Sequence, residues 1–328
     1  IAFYEKALSL KPDYVKAHYN KGNALQAQFK LGEAIEAYEK ALSFKPDYAE
    51  AYNNKGSALN DQGKFDEAIK AYEKALLLKP DYPEAYYNIG NALKGVTFKQ
   101  PNLALQKIII SLLNKKTIVR PSDIASAAIS LLKFEPKLKR HLQSFSVAEL
   151  EPHLPAVIKD LSQLPLLPKL MRVCPLPDLE LENLFKELRK KLLLCVADLR
   201  GSAKELEIQS ALALHCYTNE YIYNQSEYED KALAALEAAI KQALSKGEQP
   251  SPQYIMCLAS YKPLNQYEWS SSLLITDKIE DVLIRQVIEP NQESRLKTDL
   301  PVVGEITHKV SLKVRDQYEV SPYPRWVN

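Results

Sequence analysis

Residues Lys45–Tyr82 read KPDYAEAYNNKGSALNDQGKFDEAIKAYEKALLLKPDY, and this stretch decides the fold. Its opening KPDY stands also at Lys11–Tyr14 and closes the stretch at Lys79–Tyr82, so Pro12, Pro46 and Pro80 are spaced by 34 residues. Ala17/Ala51/Ala85, Asn20/Asn54/Asn88, Gly22/Gly56/Gly90, Ala24/Ala58/Ala92 and Leu25/Leu59/Leu93 keep the same period. A repeat of this length implies stacked helical hairpins, because one pair of short helices cannot bury its own apolar face. In the first full unit the pattern predicts helix A over Val15–Gln28 and helix B over Gly32–Ser43. Gly22, Ala34 and Ala41 are small where two backbones must approach, whereas Leu25, Tyr38 and Leu42 fill wider gaps. Pro46 ends helix B, since proline cannot continue the ladder and biases its predecessor away from helical angles. Lys40 and Lys45 suit the negative end of that helix. The second unit repeats the device with Gly56, Ala68, Tyr72, Ala75 and Pro80.

These residues resemble the tetratricopeptide repeat (TPR). The glycine, alanines, aromatic residue and proline of residues 49–80 fall where the family has them. The resemblance covers two full repeats, 15–48 and 49–82. Ile1–Lys11 matches the second half of an earlier repeat, and Pro83–Lys94 matches a third helix A. It implies an all-α superhelix whose helix A faces line a channel. By position those residues are Lys16, Tyr19, Asn20 and Asn23, then Glu50, Asn53, Asn54 and Ser57, then Glu84, Tyr87, Asn88 and Asn91. The series Asn20/Asn54/Asn88 looks like the asparagine ladder of glycosyltransferase-type TPR superhelices. An amide both donates and accepts, so it can pair with a peptide backbone whatever the side chains. Helices about 8–10 Å apart would offer one amide for about every third residue of an extended chain. The co-chaperone type of TPR clamps a carboxylate terminus with Lys and Arg, but the matching places here hold Tyr19, Glu84 and Asn88. Glu84 argues against that clamp.

Forty-three basic against 41 acidic residues give a net charge of +2, which supplies no electrostatic footprint for nucleic acid or an anionic membrane. The basic runs Lys137–Arg140 and Arg189–Lys191 read as solvated helix faces. Apolar runs such as Ile108–Leu113 are far short of the ~20 residues needed to cross a bilayer. Cys174, Cys195, Cys216 and Cys257 form no CxxC pair, and the last three are expected to be buried thiols in a reducing, cytoplasmic setting. His215 and Cys216 are adjacent and so diverge by about 100° on a helix, and no metal is expected. No nucleophile motif and no glycine-rich phosphate loop is present, so neither catalysis nor a cofactor is expected within these residues. Carboxylates one turn apart, such as Asp277 and Asp281, are ordinary on solvated helices.

After Leu93 the register fails: Gly95 and Pro101 fall where the loop and helix B belong. Helical continuation is expected over 95–164, then a proline-punctuated linker over 165–177 carrying a domain boundary, and a second helical domain over 178–318. Within it, Leu181, Leu184, Phe185, Leu188, Leu192 and Cys195 form one stripe. Pro290–Pro301 reads as a polar loop, Ser271–Ile275 is the best candidate for a strand, and 319–328 reads as an aromatic, proline-containing strap. KGVTFKQPN (94–102), VRPSD (119–123), ALALHCYTNEYIYN (211–224), YKPL (261–264), VIEPNQESRL (287–296) and VRDQYEVSPYPRWVN (314–328) together resemble the region preceding the catalytic domain in bacterial TPR proteins with an S-adenosylmethionine-dependent methyltransferase domain. That resemblance implies a fragment whose cofactor-binding residues lie elsewhere. The expectation is therefore an all-α scaffold binding a protein or extended peptide, with the methyltransferase fragment as the alternative.

Overall fold

A computed structural model describes residues 1–115, 118–146 and 154–299. The end of the expected second helical domain, 300–318, and the strap over 319–328 lie outside the described residues. Among the described residues the regular elements are all helical and no β-strand is present, so the chain is all-α. Two compact units divide at Leu131/Leu132.

The first unit contains α1 (Ala2–Leu10), α2 (Val15–Ala27), α3 (Leu31–Phe44), α4 (Ala49–Asp61), α5 (Phe65–Leu78), α6 (Pro83–Ala92), α7 (Leu103–Asn114) and nearly all of α8 (Pro121–Leu132). Helices α2/α3 and α4/α5 are the two hairpins expected from the repeat, and α6 is the third helix A. The reason for glycine at 22 and 56 is visible in the packing. A Cβ on Gly22 would stand 2.6 Å from the Tyr38 ring, and one on Gly56 would stand 2.7 Å from the Tyr72 ring. Both rings are buried, so neither can step aside without opening the hairpin. At Gly90 the neighbour is instead Val119, because position 106, where the register would place the next tyrosine, is glutamine. The repeat ends there for a packing reason. Asn102 then starts α7 by accepting from Leu105 N at 2.9 Å.

The second unit holds α9 (Pro136–Ser146), α10 (Leu154–Leu161), α11 (Leu166–Val173), α12 (Leu179–Leu194), α13 (Ala203–Thr218), α14 (Glu227–Ser245), α15 (Pro252–Ala259), α16 (Glu280–Leu283) and α17 (Glu289–Asp299). Helix α13 is its axis. It packs against α10, α11, α12, α15 and α16, and buries residues all round its circumference from Leu206 to Thr218. Capping boxes at Ser202/Glu205 and Ser226/Glu229 start α13 and α14.

Four expectations are corrected here. The proline-rich stretch 165–177 is not an open connection: α11 runs through it and buries Leu166, Leu167, Pro168, Leu170 and Met171. Pro168 is accommodated because it lies in the first turn, where backbone N–H groups have no intrahelical partner. The division between units also lies upstream of this stretch, at Leu131/Leu132. Residues 290–299, expected as a loop, are helical in α17. Pro290 is tolerated because the turn before it, Ile284–Ile288, is a π-helix in which Glu289 N–H reaches Ile284 O. That wide turn also seats Gln286, which is fully buried, donates to Ala213 O at 3.2 Å and Ala259 O at 3.0 Å, and accepts from Leu264 N at 3.2 Å. The proposed strand at 271–275 is a 3-10 turn ending at Ser272.

The cysteines differ in one respect from the reading above. Cys174, Cys216 and Cys257 are buried free thiols, whereas Cys195, at the end of α12, is half-exposed. Burial pushes the Cys174 and Cys216 thiols up to about 12, which makes them poor nucleophiles.

Phe29 and Gly63 occupy equivalent turns between the two helices of successive repeats, and both have positive φ, 57° and 77°. Glycine adopts that conformation freely, whereas an L side chain is strained by about 1–2 kcal/mol. Phe29 is 81% exposed, so its ring returns little by burial. Phe29→Gly should therefore raise stability by about 0.5–1 kcal/mol after the greater freedom of glycine in the unfolded chain is counted. A urea titration followed by circular dichroism checks it; an unchanged or lowered midpoint would contradict the strain.

Candidate functional site

Helices α2, α4 and α6 neighbour one another in the first unit. Each carries its candidate residues at i, i+3, i+4 and i+7, which is one helix face. Most of the groove amides are joined to one another. Tyr38 Oη lies 2.8 Å from both Asn23 Oδ1 and Gln26 Oε1, two acceptors that share its one proton. Asn54 Nδ2 donates to Asn23 Oδ1 at 2.9 Å and to Tyr19 Oη at 3.0 Å. Asn53 Nδ2 donates to Asn54 Oδ1 at 3.2 Å, and Asn88 Nδ2 donates to Asn53 Oδ1 at 3.0 Å. Gln26 Nε2 donates to Ser57 Oγ at 3.2 Å. A continuous amide chain thus crosses from α2 through α4 to α6.

This chain sorts the twelve residues. Asn54 spends both amide protons and accepts a third bond, and Asn53 is buried, so these two act as struts between repeats. Asn88 uses one donor and is half-buried, leaving its carbonyl oxygen available. Lys16, Glu84 and Tyr87 are exposed, and Asn20, Ser57 and Asn91 are half-buried. Glu50 is held by Lys79 at 3.3 Å.

Four residues that the sequence reading treated only as period markers or helix ends belong to this face. Tyr48 packs at a tilt against Tyr19 with ring centroids 4.9 Å apart. Lys45 lies over the Tyr48 ring at 4.8 Å and Lys79 over the Tyr82 ring at 4.5 Å. Tyr82 is buried, and its phenol is pushed up to about 12 by burial first, then by Glu50, Tyr19, Glu84 and Tyr48 around it. The signal was present in the sequence: KPDY recurs whole, although ending a helix requires only its proline.

A second polar cluster sits in the second unit. Arg189 is fully buried, contrary to the expected solvated basic face. Its guanidinium lies 4.2 Å from the Tyr261 ring centroid and 5.3 Å from that of Tyr223, and Nη2 donates to Tyr223 O and Asn224 O at 3.3 Å. The Glu229 carboxylate is 4.0 Å away and accepts from Tyr261 Oη at 2.8 Å and Ser226 N at 2.9 Å. Burial alone would raise the Glu229 carboxyl, but the bonds from Ser226 and Tyr261 and the Arg189 charge hold it below the usual carboxylate range. A cavity of about 200 Å³ beside it is lined by Lys186, Lys190, Glu187, Glu229, Asn224, Gln225 and Ser226. Two lysines face two carboxylates there, so the lining is charge-balanced. His215 is buried beneath this cluster, 3.1 Å from Tyr223 Oη, and burial lowers it to about 4. Among the described residues no group of three His, Cys, Asp or Glu could hold a metal ion. Within the same residues, no helix is long and apolar enough to cross a membrane.

Comparison with known proteins agrees with the first unit. Tetratricopeptide repeat models match residues 15–48 and 37–70, and a TPR repeat model matches 56–95. Within residues 15–95 the chain is thus similar to tetratricopeptide repeats. No curated protein matches it. Solved structures that resemble it include the crystal structure of YrrB, described as a TPR protein with an unusual peptide-binding site. That similarity has 17% identity and a TM-score of 0.31, over 78% of this chain and 95% of that one. Another is Naa15/Naa10 bound to HypK-THB, with 18% identity and a TM-score of 0.30, over 98% of this chain and 39% of that one. The matched families do not extend to the methyltransferase-associated resemblance of residues 94–328.

Two outcomes follow from this geometry. Asn54→Ala should lower stability by about 1–2 kcal/mol, because it strips a donor from Asn23 and Tyr19 at once. Asn20→Ala, at the equivalent place but without such a bond, should stay within about 0.5 kcal/mol. Equal urea midpoints for the two variants would remove the strut role. His215 stays neutral in the fold down to about 4, against an ordinary value near 6.5. Between those values the unfolded chain binds the extra proton, so stability is full above pH ~6.5 and falls on acidification, by up to about 3 kcal/mol. Glu229 acts in the same direction only below the normal carboxylate range. Urea midpoints at pH 7 and pH 5 should differ for the native chain and much less for His215→Gln; equal slopes would contradict the assignment.

Proposed function

We propose that the repeats hold an extended segment of a partner protein along the shared face of α2, α4 and α6. One observation carries this reading: the amide chain leaves hydrogen-bonding capacity and aromatic surface at regular intervals on that face. Among the described residues Asn20 and Asn91 make no internal amide bond, Asn88 keeps its carbonyl, and Tyr87 is 58% exposed. Asn54 and Asn53 set the spacing of the helices, and the outer groups meet the ligand. The ladder expected at Asn20/Asn54/Asn88 thus divides into a central strut and two flanking contacts. Within this reading the protein is an interaction scaffold, and no residue is assigned a catalytic role. The peptide binding named for the YrrB structure and the partner-bound state of Naa15/Naa10 are compatible with it, although the low similarity gives them no weight.

Selection of random twelve-residue peptides displayed on phage, using the full chain as bait, supplies ligands. Calorimetric titration of the recovered peptides should then show at least fivefold weaker binding to Tyr87→Ala and to Asn91→Ala. Loss of one exposed aromatic contact is worth roughly 1–2 kcal/mol at an interface. Recovered peptides that bind both variants like the native chain would place recognition elsewhere and end the proposal.

A further inference from the structure

Successive repeats are near copies, so a place where they differ in charge stands out against their common geometry. In the second repeat Lys79 lies over the Tyr82 ring at 4.5 Å and reaches Glu50 Oε1 at 3.3 Å. One period earlier the lysine and ring are again present: Lys45 lies over the Tyr48 ring at 4.8 Å, and Tyr48 packs at a tilt against Tyr19 of α2. The residue equivalent to Glu50 is Lys16, one turn before Tyr19 on the same face. The carboxylate that satisfies the lysine in one repeat is therefore replaced by a second cation in the other. Lys16 and Lys45 are both exposed and make no ion pair among the described residues. The acidic residues nearest in sequence, Asp13 and Asp47, are exposed and form none with either lysine. One period later the position holds Glu84, exposed and without a cation among the described residues, because the KPDY series has ended and Lys115 pairs with Asp81 instead. Among the described residues the charge thus runs along one face from the unpaired cations Lys16 and Lys45, through the closed Glu50–Lys79 pair, to the unpaired carboxylate of Glu84.

We propose that the Lys16/Lys45 corner receives a carboxylate side chain of the extended partner segment and that Glu84 receives a basic one, so that the groove reads charge direction along its ligand. The proposal rests on the groove reading above and adds the chemistry of the partner. Tyr48 forms the wall of the acidic subsite and Asn20 supplies a neutral donor beside it. Two helix spacings of about 8–10 Å separate the ends, a reach of about five to six extended residues. Glu50 is occupied by Lys79, so the middle of the segment needs no charge. The receptor is for an internal side chain, since the segment must continue past it toward α4 and α6.

The test uses the full chain and fluorescein-labelled ten-residue peptides with both termini blocked. Their bodies are Ser, Asn and Thr. One set carries two Glu at one end and two Lys at the other, in both orientations; a second set is uncharged throughout. One charged orientation should bind more tightly than the uncharged peptide, and the difference should shrink between 50 and 300 mM salt, as expected of exposed charges. Lys16→Glu rebuilds the Glu50–Lys79 arrangement one repeat earlier. It should weaken the charged peptide on the order of tenfold, since one attraction becomes a repulsion. A peptide with Lys in place of the two Glu should regain binding to that variant. Lys45→Ser, which adds no new charge, should show a smaller loss in the same direction. Equal affinities for charged and uncharged peptides, or a charged peptide indifferent to Lys16→Glu, would overturn the proposal. If those peptides still respond to Tyr87→Ala, the groove reading stands without it; if they do not, both fall. An uncharged peptide with a free terminal carboxylate that binds as tightly as the charged one would also overturn it, by making the chain end the ligand.

Discussion

The fold of the first unit depends on the contact of a tyrosine ring with a glycine. Tyr38 lies where a Cβ on Gly22 would be 2.6 Å away, so the two helices of the hairpin meet at a distance that a larger residue would forbid. The same tyrosine sets the polar order above the contact. Its hydroxyl, held in place by the buried ring, shares its one proton between Asn23 and Gln26, and Asn23 then accepts from Asn54 of the next repeat. Packing within one hairpin and registry between hairpins therefore share one side chain. Burial raises the Tyr38 phenol well above its ordinary value, so it remains a donor throughout the physiological range.

The amide chain gives the face its division of labour. An amide committed to a neighbour's amide cannot serve a ligand without leaving that neighbour unpaired, and an unpaired buried group costs about 1–3 kcal/mol. Central residues such as Asn53 and Asn54 thus trade recognition for rigidity. The residues beyond them keep their groups free and are held by a scaffold that does not need to reorder when a segment binds, which reduces the entropic cost of association.

Much of this was legible in the sequence, and the rest was hidden for identifiable reasons. The 34-residue register located α2 to α6 because Gly22, Tyr38 and Pro46 each answer a steric demand that few other residues meet. The direction of an amide's bonds is not such a demand: Asn54 donates to Asn23 and Tyr19, 31 and 35 residues earlier, and the repeat spacing alone does not say which group donates. Arg189 read as solvated because Lys190 and Lys191 follow it, yet the two tyrosine rings that enclose it come from 34 and 72 residues later in the chain. Pro168 and Pro290 read as breaks because proline usually is one. In the first case the first turn absorbs it, and in the second a π turn does. What sequence spacing omits, in each instance, is a partner that only the tertiary fold brings near.

The two units use charge in opposite ways. In the second, Arg189 is enclosed by Tyr223 and Tyr261 and faced by Glu229, an arrangement in which each charge needs the other and neither meets solvent. Removing either partner there would leave a buried ion uncompensated, so the cluster constrains structure rather than advertising a site. In the first unit the charges stand in solvent, and an exposed pair such as Lys79–Glu50 contributes at most about 1 kcal/mol. Natural variation at such positions is cheap for the fold. The exchange of Glu50 for Lys16 between repeats therefore keeps a lysine over the ring of both Tyr48 and Tyr82 while reversing what each corner attracts. A repeat protein can thus change its preference for a partner without disturbing the glycine and tyrosine contact that holds each hairpin together.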